Sequence, residues 1–526
     1  MDLHTAGHRR GVVCAPHSAA VETGRAILAQ GGNALEARVA MAAMIAVAYP
    51  HMNHLGGDGY WLVREPSGRI RAFLAAGVAG ARAMPQLYRE AGHDTIPARG
   101  PLAALTVPGA VAGWMLALEA AKGQGGRLPL ADLLAPAARL AQDGFEPARH
   151  LALYIAGDAG ELKSVPGFAD TFLIDGKPPP PKARLRFPAL AATLDQLAHA
   201  GLDDFYRGDV AREIAADLDR LGSPVTRADL ERCRASVAEP LSVALGVGTA
   251  YNTPPPTPGL AALIILALYD RLAVKEAEGF DHIHGVVEAT KRAHAVRDRV
   301  ITDPARLPHP VERYLDSAFL DAEAAAIDRR KASPWTRRPG AGDTIFMAAA
   351  DASGLVVSYI QSIYWEFGSG VVLPATGVLM QNRGLGFSLE PRALNVLEPG
   401  RAPPHTLSAA LAVLNDGRVM AYGTMGGDAQ PQIQAALFTR HVLYRQTLAQ
   451  AIEGPRWYLG RTWGADTGKL MVERDLDGNV IERLASAGHD VSFATAIGHA
   501  GAALLHPDGT LEAAHDPRAD GGAAGV

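Results

Sequence analysis

The chain lacks most of the features that mark the large functional classes. Only two of its 526 residues are cysteine, Cys14 and Cys233. That is too few for a disulfide framework and suits a reducing compartment. No apolar run free of charge, proline and glycine approaches the length of a membrane span, so no membrane partner is expected. The N-terminal residues Met1-Asp-Leu-His-Thr-Ala-Gly-His-Arg-Arg10 have no apolar signal core behind their charges, and the expected location is the cytoplasm. A net charge of -5 leaves no basic footprint, which argues against nucleic acid as a partner. The sequence has no GxSxG elbow, no HExxH, no paired CxxC and no phosphate-binding loop. His282-Ile-His284 would point to two sides of a helix, so the pair reads as structural, and neither metal nor cofactor is expected.

What is present is an ordinary globular composition, 48% hydrophobic and 20% charged, in a chain long enough to bury a large core. Val12-Val13-Cys14 reads as a short strand. Ser18 is placed to cap a helix over 19–30, and Asn33 to cap a second over 34–48; both are apolar nearly all round and should be buried. A glycine-dense loop, His51 to Gly59, leads into a strand over 60–64. Residues 109–235 read mostly as amphipathic helix, broken by the exposed proline run Pro178–Pro181. Two further helices are predicted over 259–274 and 282–299.

The pattern changes after residue 343. Four hairpins are predicted: 344–350 with 355–360, 409–414 with 419–424, 471–474 with 480–483, and 504–505 with 510–513. Their strands are apolar on both faces, so each sheet should be covered on both sides. Helices lie before and between the hairpins, and a four-layer αββα sandwich is the economical packing.

Five places carry candidate chemistry. Thr344 stands where the Pro- and Gly-rich stretch ending at Gly342-Asp343 gives way to the apolar run Ile345–Ala350. It is either a plain strand start or, if the chain is cut before it, a hydroxyl and a free amine on one residue. Gly426-Gly427 closes a strand and is either a tight turn or a pair of backbone donors facing a ligand. Gln361 to Gly370 mixes aromatics and hydroxyls and could wall a pocket or fill a core. Arg383 is a possible carboxylate fork or a solvated surface group. His405-Thr406 could line a polar pocket or cap a helix.

Taken in order along the chain, Gly32-Asn33-Ala34, Gly56-Gly-Asp-Gly59, Val107 to Gly113, Phe205-Tyr-Arg-Gly208, Gly342-Asp-Thr344, Phe367-Gly-Ser-Gly370, Met425-Gly-Gly427 and Asp516 to Gly521 resemble the γ-glutamyltransferase family of N-terminal nucleophile hydrolases. The resemblance spans essentially the whole sequence. It implies an α+β fold, the αββα sandwich with additional helices on the large part. It also implies a proenzyme cut between Asp343 and Thr344 into 1–343 and 344–526, the two parts together making one catalytic fold. Thr344 would be the nucleophile, Ser362 its hydrogen-bonding neighbour, and Gly426 and Gly427 the oxyanion donors. Two such heterodimers could pair.

The departures from that family concern the substrate. The positions that hold the amino-acid head of glutamate carry Leu74, Tyr364, Arg383, Gly386, His405 and Thr406 here. Ile360 to Tyr364, Glu366 to Pro374, Gln381-Asn-Arg-Gly384 and Tyr49-Pro-His-Met-Asn53 resemble the branch of the family that acts on oxamate, within purine catabolism. The expected activity is therefore hydrolysis of a small anionic amide, oxamate to oxalate and ammonia, with Tyr364, Arg383, His405 and Thr406 binding substrate. The rivals are a γ-glutamyl hydrolase or transferase, a glutaryl-type acylase, and an uncleaved relative serving as a binding or scaffold protein.

Overall fold

The computed structural model describes residues 1–335, 343–460, 468–495 and 497–526. The loop residue Gly342, predicted to precede the cut, lies outside them. Two seven-stranded antiparallel sheets stack face to face. The first places the strands in the order Gly522–Gly525, Gly11–Ala15, Asp343–Asp351, Val356–Tyr364, Asp58–Arg64, Ile70–Ala75 and Ser236–Ala238. The second runs His4–His8, Leu511–His515, Ala500–Leu505, Val419–Thr424, Ala410–Leu414, Gly248–Asn252 and Leu241–Leu245.

Strand alternation builds three cores. Phe346, Ala348 and Ala350 point into the space between the sheets, against Leu411, Val419 and Ala421. Ile345, Met347 and Ala349 point the other way, onto the helix Ala34–Ala48, every residue of which is buried. The outer face of the second sheet packs on the helices Gly259–Leu272 and Gln430–Phe438, and the helix Phe280–Val300 packs in turn on those two. This is the expected αββα order. Gly423 is glycine because the sheets meet closely: a Cβ there would lie 2.4 Å from the Phe346 ring.

Three expectations need correction. Ser18 does not cap the first helix, Ser18–Ala29; the His17 ring accepts from Ala19 N instead. That helix is buried on one face only, with Glu22 exposed. The third hairpin is not a hairpin. Leu470–Glu473 is a strand, but Gly478–Ser486 is a helix capped by the Asp477 carboxylate and seated through Val480 and Leu484. The strand pairs instead with Trp457–Leu459 and Val491–Ala494 in a separate small sheet.

Candidate active site

Thr344 is the second residue of the strand Asp343–Asp351 and is 1% exposed. Across the ladder Asp343 pairs with Tyr364, whereas Ile345 pairs with Gln361, so the register slips at Thr344. Ser362 and Ile363 are left opposite one residue, the geometry of a bulge, which re-aims side chains at a strand end. Ser362 is thereby brought beside Thr344, while on its other side it pairs with Asp58. The Ser362 hydroxyl accepts from Tyr364 N at 2.8 Å. Gln430 Nε2 donates to Thr344 Oγ1 at 3.3 Å. Gln430 opens the helix that follows Gly426-Gly427, so the glycine turn and Thr344 meet through it. Both glycines have positive φ, 114° and 53°, a backbone that other residues rarely adopt.

Next to this turn lies a cavity of about 220 Å³. Tyr364, Arg383, His405 and Thr406 all line it, as does Gly386. Thr344 is not in its wall; the link is through Gln430 and the turn. Leu74 is also elsewhere, half-buried against the core between the sheets. His405-Thr406 resolves as pocket lining, because no helix follows it.

Arg383 sits in a 3-10 turn and is 2% exposed. Its guanidinium lies 3.3 Å from the centroid of the Tyr364 ring, and Nη1 donates to Thr406 Oγ1 at 3.1 Å. Among the described residues no carboxylate forms an ion pair with it, and its Nε has no partner. Burial pulls its pKa below the ordinary guanidinium value, while Tyr364 and Asp58 pull it back up. Tyr364 holds its place with φ at 82°, unusual for an aromatic residue and a mark of local strain.

His405 is oriented by a carboxylate. Its Nε2 lies 3.1 Å from Asp58 Oδ2, and Asp58 Oδ1 accepts from Gly77 N and Gly109 N at 3.1 and 3.0 Å. With Nε2 donating to Asp58 Oδ2, the Nδ1 lone pair of the neutral ring is free to accept. Nδ1 is buried and unpartnered among the described residues. Burial is the main reason the His405 pKa falls to about 4, which keeps the ring neutral near pH 7.

Sequence reasoning missed four residues here: Asp58, Arg297, Asp428 and Gln430. Arg297 and Asp428 line the same cavity and pair at 3.0 Å; Arg297 also pairs with Asp298 at 2.8 Å. Two signals were available: a carboxylate ringed by glycines at Gly56 to Gly59, and an aspartate directly after the glycine pair.

Comparison with known proteins decides the class. The family profile described as Gamma-glutamyltranspeptidase matches residues 20–526. The chain belongs to the gamma-glutamyltranspeptidase family. Like its relatives it is an N-terminal nucleophile hydrolase acting on C–N bonds. It is 50% identical to an oxamate amidohydrolase proenzyme of Klebsiella pneumoniae over 98% of both chains. It is 33% identical to the Acylase ACY 1 proenzyme of a Pseudomonas species, over 97% of this chain and 93% of that one. Its fold superposes on the crystal structure of a cephalosporin acylase from Bacillus halodurans with a TM-score of 0.91, at 29% identity, covering 99% and 97% of the two chains. Among the described residues, no helix is long and apolar enough to cross a membrane.

Proposed function

We propose that the chain cuts itself between Asp343 and Thr344 and then hydrolyses oxamate to oxalate and ammonia. In the cut, Thr344 Oγ adds to the Asp343 carbonyl carbon. The amide nitrogen leaves as the Thr344 amine, carrying the hydroxyl proton, and water hydrolyses the ester to free the Asp343 carboxylate. In turnover the same hydroxyl adds to the oxamate amide carbon, with the Thr344 amine taking its proton. Gly426 and Gly427 N–H groups hold the oxyanion. The amine returns the proton to the leaving nitrogen, ammonia departs, and water releases oxalate from the threonine ester.

The observation that carries the substrate is Arg383. A buried guanidinium without an acidic partner among the described residues, in a cavity of about 220 Å³, suits a compact anion. Oxamate places a carboxylate directly on the scissile carbonyl, so its anchor and its reacting atom must be neighbours. His405 Nδ1, a buried acceptor in the same wall, suits the amide N–H group. The 50% identity to an oxamate amidohydrolase supports the same reading. The test is an intact-mass measurement paired with an ammonia assay. Two fragments meeting at 343/344 and ammonia from oxamate are expected. A cut protein that leaves oxamate intact but hydrolyses a γ-glutamyl or glutaryl anilide would overturn the substrate.

A further inference from the structure

The helix Phe280–Val300 carries buried polar chemistry that this reaction does not use. His284, Glu288 and Lys291 fall at helical spacing on one face and are 1%, 1% and 7% exposed. Each reaches the chain passing alongside. His284 Nε2 lies 2.8 Å from Asp328 O. Glu288 Oε2 accepts from Ser333 N at 3.1 Å, and Lys291 Nζ donates to Ser333 O at 2.7 Å. Lys291 and Glu288 also pair with each other at 2.6 Å. One turn on, the His294 ring lies against Trp335, centroids 5.9 Å apart. A second wall closes the groove: Ala332 N donates to Ala487 O at 2.8 Å, and His489 Nε2 sits 2.9 Å from His284 Nδ1.

The contacts climb the helix in the order of the chain they hold: 284 on 328, 288 and 291 on 333, 294 on 335. Helix and segment run side by side in one direction, and in sequence the segment precedes Asp343 and Thr344. The next turn of the same helix offers Arg297, paired with Asp428 beside Gly426-Gly427. One rigid element thus grips both the segment upstream of the scissile bond and the turn beside it.

A buried ion pair seldom adds stability over apolar side chains of the same volume, because desolvation cancels the attraction; its better-attested use is to specify one arrangement. Here the specification is of register. Glu288 and Lys291 satisfy both main-chain groups of Ser333, and a slip of one residue would leave two buried charges facing the wrong groups.

We propose that His284, Glu288 and Lys291 form a docking track that sets the register of residues 328–335 in the uncut chain, and so delivers the Asp343–Thr344 peptide to its own cleavage geometry. They are positioning residues for maturation, and the proposal rests on the reading of Thr344 as the self-cleaving nucleophile. His284, Glu288 and His489 also bring three ligand atoms within 4.8 Å of one another, close enough for a cation. The Lys291 ammonium already supplies the positive charge at Glu288, and a dication beside it would be repelled.

The experiment follows precursor loss after a pulse of cell-free synthesis, on denaturing gels and by intact mass. Glu288→Gln with Lys291→Met removes the grip on Ser333 O without orphaning a buried charge. Cutting is expected to slow by about tenfold or more, the rate equivalent of one charge-assisted hydrogen bond. Lys291→Arg should restore much of the rate, and the cut double variant should melt where the wild type does. A double variant that cuts at the wild-type rate overturns the track. So does slow cutting that comes with a matching loss of melting temperature, or a wild-type precursor that a chelator stalls and zinc restores. A wild-type chain that stays whole overturns the Thr344 reading itself, and the track with it.

Discussion

Arg297 Nη1 and Asp428 Oδ1 meet at 3.0 Å, joining the helix Phe280–Val300 to the residue that follows Gly426-Gly427. On the proposed mechanism this contact crosses from the large part to the small part and steadies the turn that holds the oxyanion. Asp428→Asn keeps the shape and removes the charge, and Arg297 retains Asp298. The variant should still cut itself. Its kcat on oxamate should fall about tenfold, with KM little changed, as expected for an interaction that matters mainly in the transition state. A rise in KM at constant kcat would instead make the pair a ground-state binding element.

Arg383 should show the opposite split. Arg383→Met keeps an unbranched apolar stem against Tyr364 and loses the fork. Removing charge-assisted bonds of about 1.5–3 kcal/mol should raise KM for oxamate roughly tenfold to hundredfold. Arg383→Lys should fall between, since a point charge cannot match a planar carboxylate with two parallel bonds. Steady-state kinetics on the cut proteins checks this, and an unchanged KM in Arg383→Met removes the main support for an anionic substrate.

Much of this arrangement could be read from the sequence, for identifiable reasons. Strands apolar on both faces announced two covered sheets, and Asn33 marked its helix start because the capping pair with Glu36 is local. The false hairpin arose because Asp475-Leu-Asp-Gly478 suits a turn as well as a helix cap, and only packing of Val480 and Leu484 selects the helix. The four cavity-lining positions Tyr364, Arg383, His405 and Thr406 came from family resemblance; local pattern left Arg383 and His405 open. What no local pattern could supply is pairing across the fold. His405 finds Asp58 347 residues away, and Arg297 finds Asp428 131 residues away. Nothing local to either member of a pair points to its partner.

Acid should unfold the protein earlier than its carboxylates alone would. Burial is the main cause that lowers His17, His405 and His515 to about 4 each, from an ordinary value of 6.5. The native rings stay neutral while the unfolded chain takes up protons below pH 6.5. Their contribution is therefore complete above pH 6.5 and is lost as pH falls toward 4. Asp520 works in a lower window. Burial alone would raise it, but hydrogen bonds with His150 draw it down to about 2, so its contribution is lost only below its ordinary 3.8. Tryptophan fluorescence against pH should show loss of structure starting above pH 4, and His405→Gln should move the onset to lower pH. Full stability down to pH 4 would contradict the buried neutral state of these rings.

On the proposed function, Tyr364 is the position where size and charge recognition meet. Its ring fills the cavity wall beneath Arg383, and its backbone is held at φ 82°. Asparagine tolerates that conformation far better than tyrosine. Tyr364→Asn should therefore relieve the backbone strain while opening the wall and removing the ring face under the guanidinium. Loss of a buried cation–π contact of about 2 kcal/mol should lower kcat/KM for oxamate roughly thirtyfold. The wider cavity should at the same time raise hydrolysis of a glutaryl anilide, so the ratio of the two activities moves by more than either alone. Competition between both substrates on the cut variant measures that ratio directly. If it stays at the wild-type value, Tyr364 does not set substrate size, and the small cavity is defined by other walls.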